Sequence, residues 1–231
     1  MRTPRRLPAE ELAPFQWEAP GRAGVVRWGD GPAAGAPEPL PERIDWAALF
    51  GNPHPVEVEV GFGKGLFLVT TAAANPDRNY FGIEIVRKYQ LLATSRLAGR
   101  GLTNARTCCA DAKRVLRDFV VPGSLAAVHV YFPDPWWKAR HKKRTLFTPA
   151  FAQLVLEVLE PGGVLHFATD VPDYAAMAAE VLAAVPALVP LPPPEEAAPV
   201  HDMDYLTNFE RRFRKQGKPI HRSRHRKQVP G

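Results

Sequence analysis

Apolar and acidic residues alternate strictly over Val56-Glu57-Val58-Glu59-Val60, run at once into Gly61-Phe62-Gly63-Lys64-Gly65, and are followed by a helix-compatible stretch from Leu66 to Ala74. A period of two, a glycine turn and then a helical stretch predict a strand, a tight turn and a helix. The same switch of period recurs down the chain. Tyr80-Phe81-Gly82-Ile83-Glu84 reads as a second strand, and a helix from about Val86 to Ala98 stops at Gly99. Ala105 to Cys109 reads as a third strand, followed by a helix from Ala112 to Phe119, and the apolar run Leu125 to Tyr131 as a fourth, buried strand. Thr148-Pro149 has the form of an N-cap with proline at the first helical position. Phe151, Leu154, Val155, Val158 and Leu159 then fall on one helical face, up to Glu160-Pro161-Gly162-Gly163. Val164 to Asp170 gives a fifth strand, and Pro172 opens a helix to about Val185. Strand and helix alternating through short links imply an α/β fold, a mostly parallel sheet with helices on both faces.

The ends of the chain lack this periodicity. Residues 1–50, rich in Pro, Ala, Gly and Arg with isolated Phe15, Trp17 and Trp28, read as an arm that is partly disordered or loosely packed, with one short helix near Trp46 to Phe50. Residues 51–217 form the folded domain, a proline-rich break at Pro190 to Pro194 sets off its last segment, and 218–231 reads as a basic tail. At 231 residues and 45% hydrophobic content the chain supports one well-buried core. No leader pattern and no run of about 18 apolar residues occurs, which predicts a cytoplasmic protein without a membrane partner. Cys108 and Cys109, adjacent and alone, suit neither a metal cluster nor an ordinary disulfide, and no metal is expected.

Charge sharpens the picture. The net charge is +6, yet residues 211–231 carry nine Lys or Arg and no acid, and 138–144 carry five, so the remainder of the chain is net acidic. Two basic patches on an acidic body point to a bound polyanion. Glu59, Glu84, Asp111, Asp134 and Asp170 all fall at or near strand carboxyl ends, where ligands bind in open parallel sheets. Glu84, about 20 residues beyond the glycines, stands where a ribose diol is normally held. Asp111 is suited either to accept from an adenine amine or to cap the helix that follows it. Glu57 reads as a solvated or salt-bridged strand residue. The spacing G-x-G-x-G is neither the dinucleotide fingerprint nor a Walker loop, so a nicotinamide oxidoreductase fits worst. In Phe132-Pro133-Asp134-Pro135-Trp136-Trp137 two prolines stiffen the turn that carries an acid, and two indoles offer either a stacking face or packing.

These residues resemble the bacterial tRNA (guanine-N7)-methyltransferases, within the class I S-adenosylmethionine-dependent methyltransferases of Rossmann-like fold. The likeness runs over about Val56 to Gly217. The glycine motif marks only the superfamily. The segment Phe132-Pro133-Asp134-Pro135-Trp136 followed by Lys138-Ala139-Arg140-His141, with Ala168-Thr169-Asp170 and Thr207-Asn208-Phe209-Glu210 in order behind it, is specific to the family. Two departures stand out: Trp137 in place of a frequent histidine, and a basic stretch Ile220 to Lys227 where an apolar last strand is expected. The resemblance implies methyl transfer from S-adenosylmethionine to N7 of a guanine in tRNA, at position 46 of the variable loop, by a monomer or homodimer. It implies that Glu59, Gly61, Gly63, Gly65, Glu84, Asp111 and Asp134 bind the cofactor, with Asp134 also the active-site acid. It further implies that Lys138, Asp170, Thr207, Asn208, Phe209 and Glu210 contact the guanosine and that Arg140, His141, Lys142, Lys143, Arg144 and Thr145 lie against RNA. Two other readings stay open. One is an amino-methyltransferase acting on adenine or cytosine of RNA or DNA; the other is a non-catalytic RNA-binding protein with a vestigial cofactor fold.

Overall fold

A computed structural model describes residues 7–20, 42–134, 145–192 and 207–229. The expected β-α alternation forms: β1 (Val56–Val60), α3 (Leu66–Ala74), β2 (Asn79–Glu84), α4 (Arg87–Ala98), β3 (Ala105–Cys109), α5 (Ala112–Asp118), β4 (Leu125–Tyr131), α6 (Pro149–Val158), β5 (Leu159–Thr169) and α7 (Pro172–Ala183). It is preceded by α1 (Ala9–Leu12) and α2 (Trp46–Phe50) and followed by β6 (Leu188–Leu191), α8 (Asn208–Lys215) and β7 (His221–Lys227). The seven strands lie in the order β3-β2-β1-β4-β5-β7-β6. The first five pair in parallel, and β7 runs antiparallel to both β5 and β6. Strand order reverses between β1 and β4, and a crevice opens at the carboxyl ends of the strands at such a point.

Local chemistry accounts for most element ends. Thr148 accepts from the Phe151 N–H at 3.2 Å with Pro149 at the first helical position, so α6 begins where its sequence says. The main core fills one face of the sheet, where Val58, Val60, Val128, Val130, Leu165 and Phe167 meet the apolar sides of α5, α6 and α7. The other face of the central strands is polar yet covered. All five residues of β1 are buried, so its alternation does not mark a solvent face. Glu57 there accepts from Arg78 at 2.7 Å and pairs with His129 Nε2 at 2.7 Å, a salt-bridged strand residue. Beyond it His129 Nδ1 meets the Tyr131 hydroxyl at 2.9 Å.

Two expectations are corrected. Segment 218–231, read as a tail, contributes β7, which sits inside the sheet between β5 and β6. Its cations have internal partners: Arg222 donates to Glu210 at 2.6 Å, Arg224 to the Pro192 carbonyl at 2.7 Å, and Lys227 to the Leu159 carbonyl at 2.6 Å. Pro190, read as part of a break, lies in β6, the edge strand, where a missing N–H is tolerated. The described parts of the arm also pack closely. The Trp17 N–H donates to the Thr107 carbonyl at 2.9 Å, and its ring stands edge-on to Phe81 and Phe119. In α2, capped by Asp45, Trp46 donates to Ser124 at 3.0 Å.

Candidate active site

The glycine turn is built by close approach. A Cβ on Gly65 would lie 2.5 Å from that of Ala93 on α4, at a φ of +71° that side chains rarely adopt. Glu84, at the end of β2, locks the turn from below: Oε2 accepts from the Gly63 N–H at 2.8 Å and Oε1 from the Val86 N–H at 2.9 Å. A carboxylate oxygen has two lone pairs, so each can still accept from a ligand hydroxyl.

Two cavities adjoin at this turn, with Gly61 in the wall of both. One, of about 130 Å³, is lined by Glu84, Asp111, Ile83, Ile85, Lys113 and Leu146 among others. Asp111 caps α5 through Oδ1, accepting from Lys113 N at 2.8 Å and Arg114 N at 3.3 Å, while its side chain also faces this cavity, so capping does not exclude a ligand role. The other cavity, of about 180 Å³, holds Glu59, Lys64, Phe67, Tyr89, Tyr131, Thr207, Asn208, Phe209 and Arg212 in its wall. Glu59 is 3% exposed, and its Oε2 is buried without a hydrogen-bond partner. Burial, reinforced by the negative charge of Glu84, pushes its carboxyl up to about 8. A buried carboxyl with one orphaned oxygen, in the wall of a cavity, fits a cationic ligand group.

α8 supplies the far wall. Thr207 caps it, accepting from the Glu210 N–H at 3.0 Å, so Thr207-Asn208-Phe209-Glu210 is also the start signal of a helix. Glu210 does not reach back to close that box; its Oε1 accepts from Arg214 at 2.8 Å and from Arg222 at 2.6 Å. Phe209, 48% exposed, stacks with Phe132 and Phe213 at the cavity mouth. Phe132 holds a φ of +50°, a strained value for a phenylalanine, directly before Pro133 and Asp134.

The expected site residues thus divide. Glu59, Gly61, Gly63, Thr207, Asn208 and Phe209 share one cavity, and Glu84 and Asp111 share the adjoining one. Gly65 stands behind the turn. Asp134 is exposed past β4 and lines neither cavity; its charge opposes ionisation of Tyr174, whose hydroxyl is already pushed up by burial. Asp170 lines neither cavity and pairs with Lys218 at 3.8 Å. Glu210 lies behind its wall. Thr145 accepts from Lys113 through its carbonyl at 3.0 Å. Trp136, Trp137, Lys138, Arg140, His141, Lys142, Lys143 and Arg144 lie outside the described residues. Tyr89, Tyr131 and Arg212 join the cavity without having been expected there. Tyr131 had a signal, its place at a strand end before the proline turn, whereas Tyr89 and Arg212 had none.

Residues 53–223 match a family model described as a putative methyltransferase. The tRNA (guanine-N(7)-)-methyltransferase of Rhodopirellula baltica is 45% identical over 197 residues, covering 83% of this chain and 73% of that protein. The enzyme of the same name from Cronobacter sakazakii is 42% identical, covering 76% and 74%. Among solved structures, the 16S rRNA (adenine(1408)-N(1))-methyltransferase from Catenulisporales acidiphilia superposes with a TM-score of 0.55 at 16% identity, covering 81% of this chain and 94% of that one. At that identity the likeness speaks for the fold.

Proposed function

The chain belongs to the tRNA (guanine-N7)-methyltransferases, and from that premise we propose how its two cavities divide the work. The protein transfers a methyl group from S-adenosylmethionine to N7 of a guanine in tRNA. The observation that carries the assignment of the site is the buried carboxyl of Glu59, with its Oε2 unpartnered, beside a glycine turn shared by both cavities. Glu84 and Asp111 hold the ribose hydroxyls and adenine amine of the donor in the smaller cavity. Glu59 faces the positive charge of its methionine end in the larger one. The donor supplies the methyl group on a sulfonium, which makes it transferable to a neutral base.

Guanine N7 has an in-plane lone pair and no proton, so no general base is needed to create the nucleophile. What remains for the chain is placement, which for well-oriented groups removes an entropic barrier of the order of 7–11 kcal/mol. Phe209, backed by Phe132 and Phe213, gives the base a face to stack on. The base gains positive charge as it is methylated, and a fixed carboxylate nearby stabilises that charge. We assign this to Asp134, carried on the stiff turn after β4, with Glu210 and Asp170 toward the guanine edge and the Lys138–Arg144 run, with Thr145, against RNA. The target is the guanine at position 46 of the variable loop.

Incubation with tritiated donor and bulk tRNA, followed by nucleoside analysis, is expected to place the label in N7-methylguanosine, and strand scission at the methylated base to map it to position 46. Label in a methylated adenine or cytosine indicates an amino-methyltransferase instead. Absence of both transfer and donor binding indicates a binding protein.

A further inference from the structure

Three separated stretches of sequence bring cations together here: Lys64 and Arg212 line the larger cavity, Arg96 is bonded to the Lys64 backbone, and Arg100 and Arg211 lie close enough for their charges to act on Arg96. Arg96 lies on the face of α4 that also carries Tyr89, a cavity residue, and Ala93, the residue Gly65 packs against. Its guanidinium donates to the Lys64 carbonyl at 2.6 Å, which fixes it against the glycine turn. Burial and then the neighbouring positive charges of Arg100 and Arg211 hold Arg96 below its usual pKa. Lys64 and Arg212 complete the group as walls of the cavity beside Phe209. Among the described residues no acid pairs with Lys64, Arg96, Arg100 or Arg212.

Cations near the last turn of α4 complement its dipole, and exposed lysines and arginines are ordinary surface residues. The dipole does not explain why α8 brings Arg211 to the same place, nor why a half-buried, hydrogen-bonded arginine is held among like charges. Lys64, Arg96, Arg100 and Arg212, like charges with no acid paired to them among the described residues, are stabilised by a bound anion, and several cations beside one cavity suit a polyanion better than a single ion.

We propose that Lys64, Arg96, Arg100, Arg211 and Arg212 form a phosphate-binding strip, made of residues other than the Lys138–Arg144 run, that holds the tRNA backbone beside the nucleotide being methylated. The proposal rests on the tRNA reading above. It predicts that cations outside the Lys138–Arg144 run set part of the salt dependence of RNA binding.

The test measures binding of unmodified tRNA to the full-length protein across a salt series, with donor affinity and steady-state methylation followed in parallel. Each cation removed lowers the slope of log affinity against log salt by about 0.7–0.9 and weakens binding about four-fold near 0.15 M salt. R100Q should therefore show one such step and the R96Q/R100Q pair about two, with KM for tRNA rising in proportion and kcat at saturating tRNA and donor affinity unchanged. Should R96Q disturb the glycine turn, seen as lost donor binding, R100Q and R100E alone decide, since Arg100 is exposed and, among the described residues, no hydrogen bond joins it to the turn. An unchanged slope and KM in R100Q and R100E overturns the strip even while N7-methylguanosine is formed. Failure of the wild type to form that nucleoside overturns the tRNA methyltransferase reading, and the salt slopes still report separately on the strip.

Discussion

At Glu59, burial and the charge of Glu84 act against ionisation, and the Leu68 backbone N–H only partly offsets them. With a pKa of about 8 the carboxyl is protonated at neutral pH in the donor-free protein. A cationic group bound against it favours the ionised form, so binding of the donor releases a proton, and affinity rises with pH up to about 8 before levelling off. Calorimetry at pH 6.5–7 in two buffers of different ionisation enthalpy measures that release. Glu59→Gln is expected to abolish it and to weaken donor binding by about 1.5–3 kcal/mol, the usual worth of a hydrogen bond to a charged group; equal proton release in the variant refutes the assignment. The position of Glu59 at a strand end before glycines is legible in the sequence. Its missing partner is not, because that depends on what α3 and β4 bring over it. Likewise Asp134 is plainly marked by its prolines, whereas the strained φ of Phe132 and the packing of its ring against Phe209 and Phe213, distant in sequence, are not.

At the scale of elements, α8 and β7 differ in how they arise. Thr207-Asn208-Phe209-Glu210 carries a helix-start signature that any reader of capping chemistry can see, whereas His221 to Lys227 is composed of residues with little strand preference. β7 exists because β5 on one side and β6 on the other present unpaired backbone groups, and because its arginines find Glu210 and free carbonyls. The energetic weights follow from that difference. Thr207→Ala removes a cap and is expected to cost about 1 kcal/mol. Arg222→Leu leaves the buried carboxylate of Glu210 with one cation fewer and should cost more than the cap does. Urea denaturation, read as midpoint at constant slope, compares the two, and an Arg222→Leu cost below that of Thr207→Ala would show that β7 is held by its backbone ladder alone.

Over the whole molecule, buried titratable groups on the sheet shape stability against pH. Burial, helped by His129 and Arg224, pushes His166 down to about 3, and burial also lowers His225. Both are neutral when folded and take up protons near 6.5 when unfolded, so the stability they contribute is present above pH 6.5 and is lost as pH falls toward their folded values. Glu59 acts in the opposite sense: its raised pKa makes the folded protein bind the extra proton, so its contribution is lost as pH rises from about 4.5 through 8. For these groups the donor-free protein should be most stable near pH 6.5. Thermal unfolding across pH is expected to show that maximum, with His166→Asn flattening the acid limb by up to about 1.4 kcal/mol per pH unit. Saturating donor should raise the whole curve, and the alkaline limb most.

The βα units, their turns and the row of acids at strand ends are determined by the sequence itself, because each depends on the period, the caps and the glycines within a few residues of one another. The insertion of a basic segment as the sixth strand in the sheet, the burial of both glutamates of β1, and the meeting of α4, α8 and the glycine turn around one cavity were decided only by the tertiary structure. Those features depend on partners 21 to 153 residues apart in the chain, from Glu57 and Arg78 to Glu59 and Arg212, and no local pattern specifies what will lie across a sheet or complete a hydrogen-bond ladder.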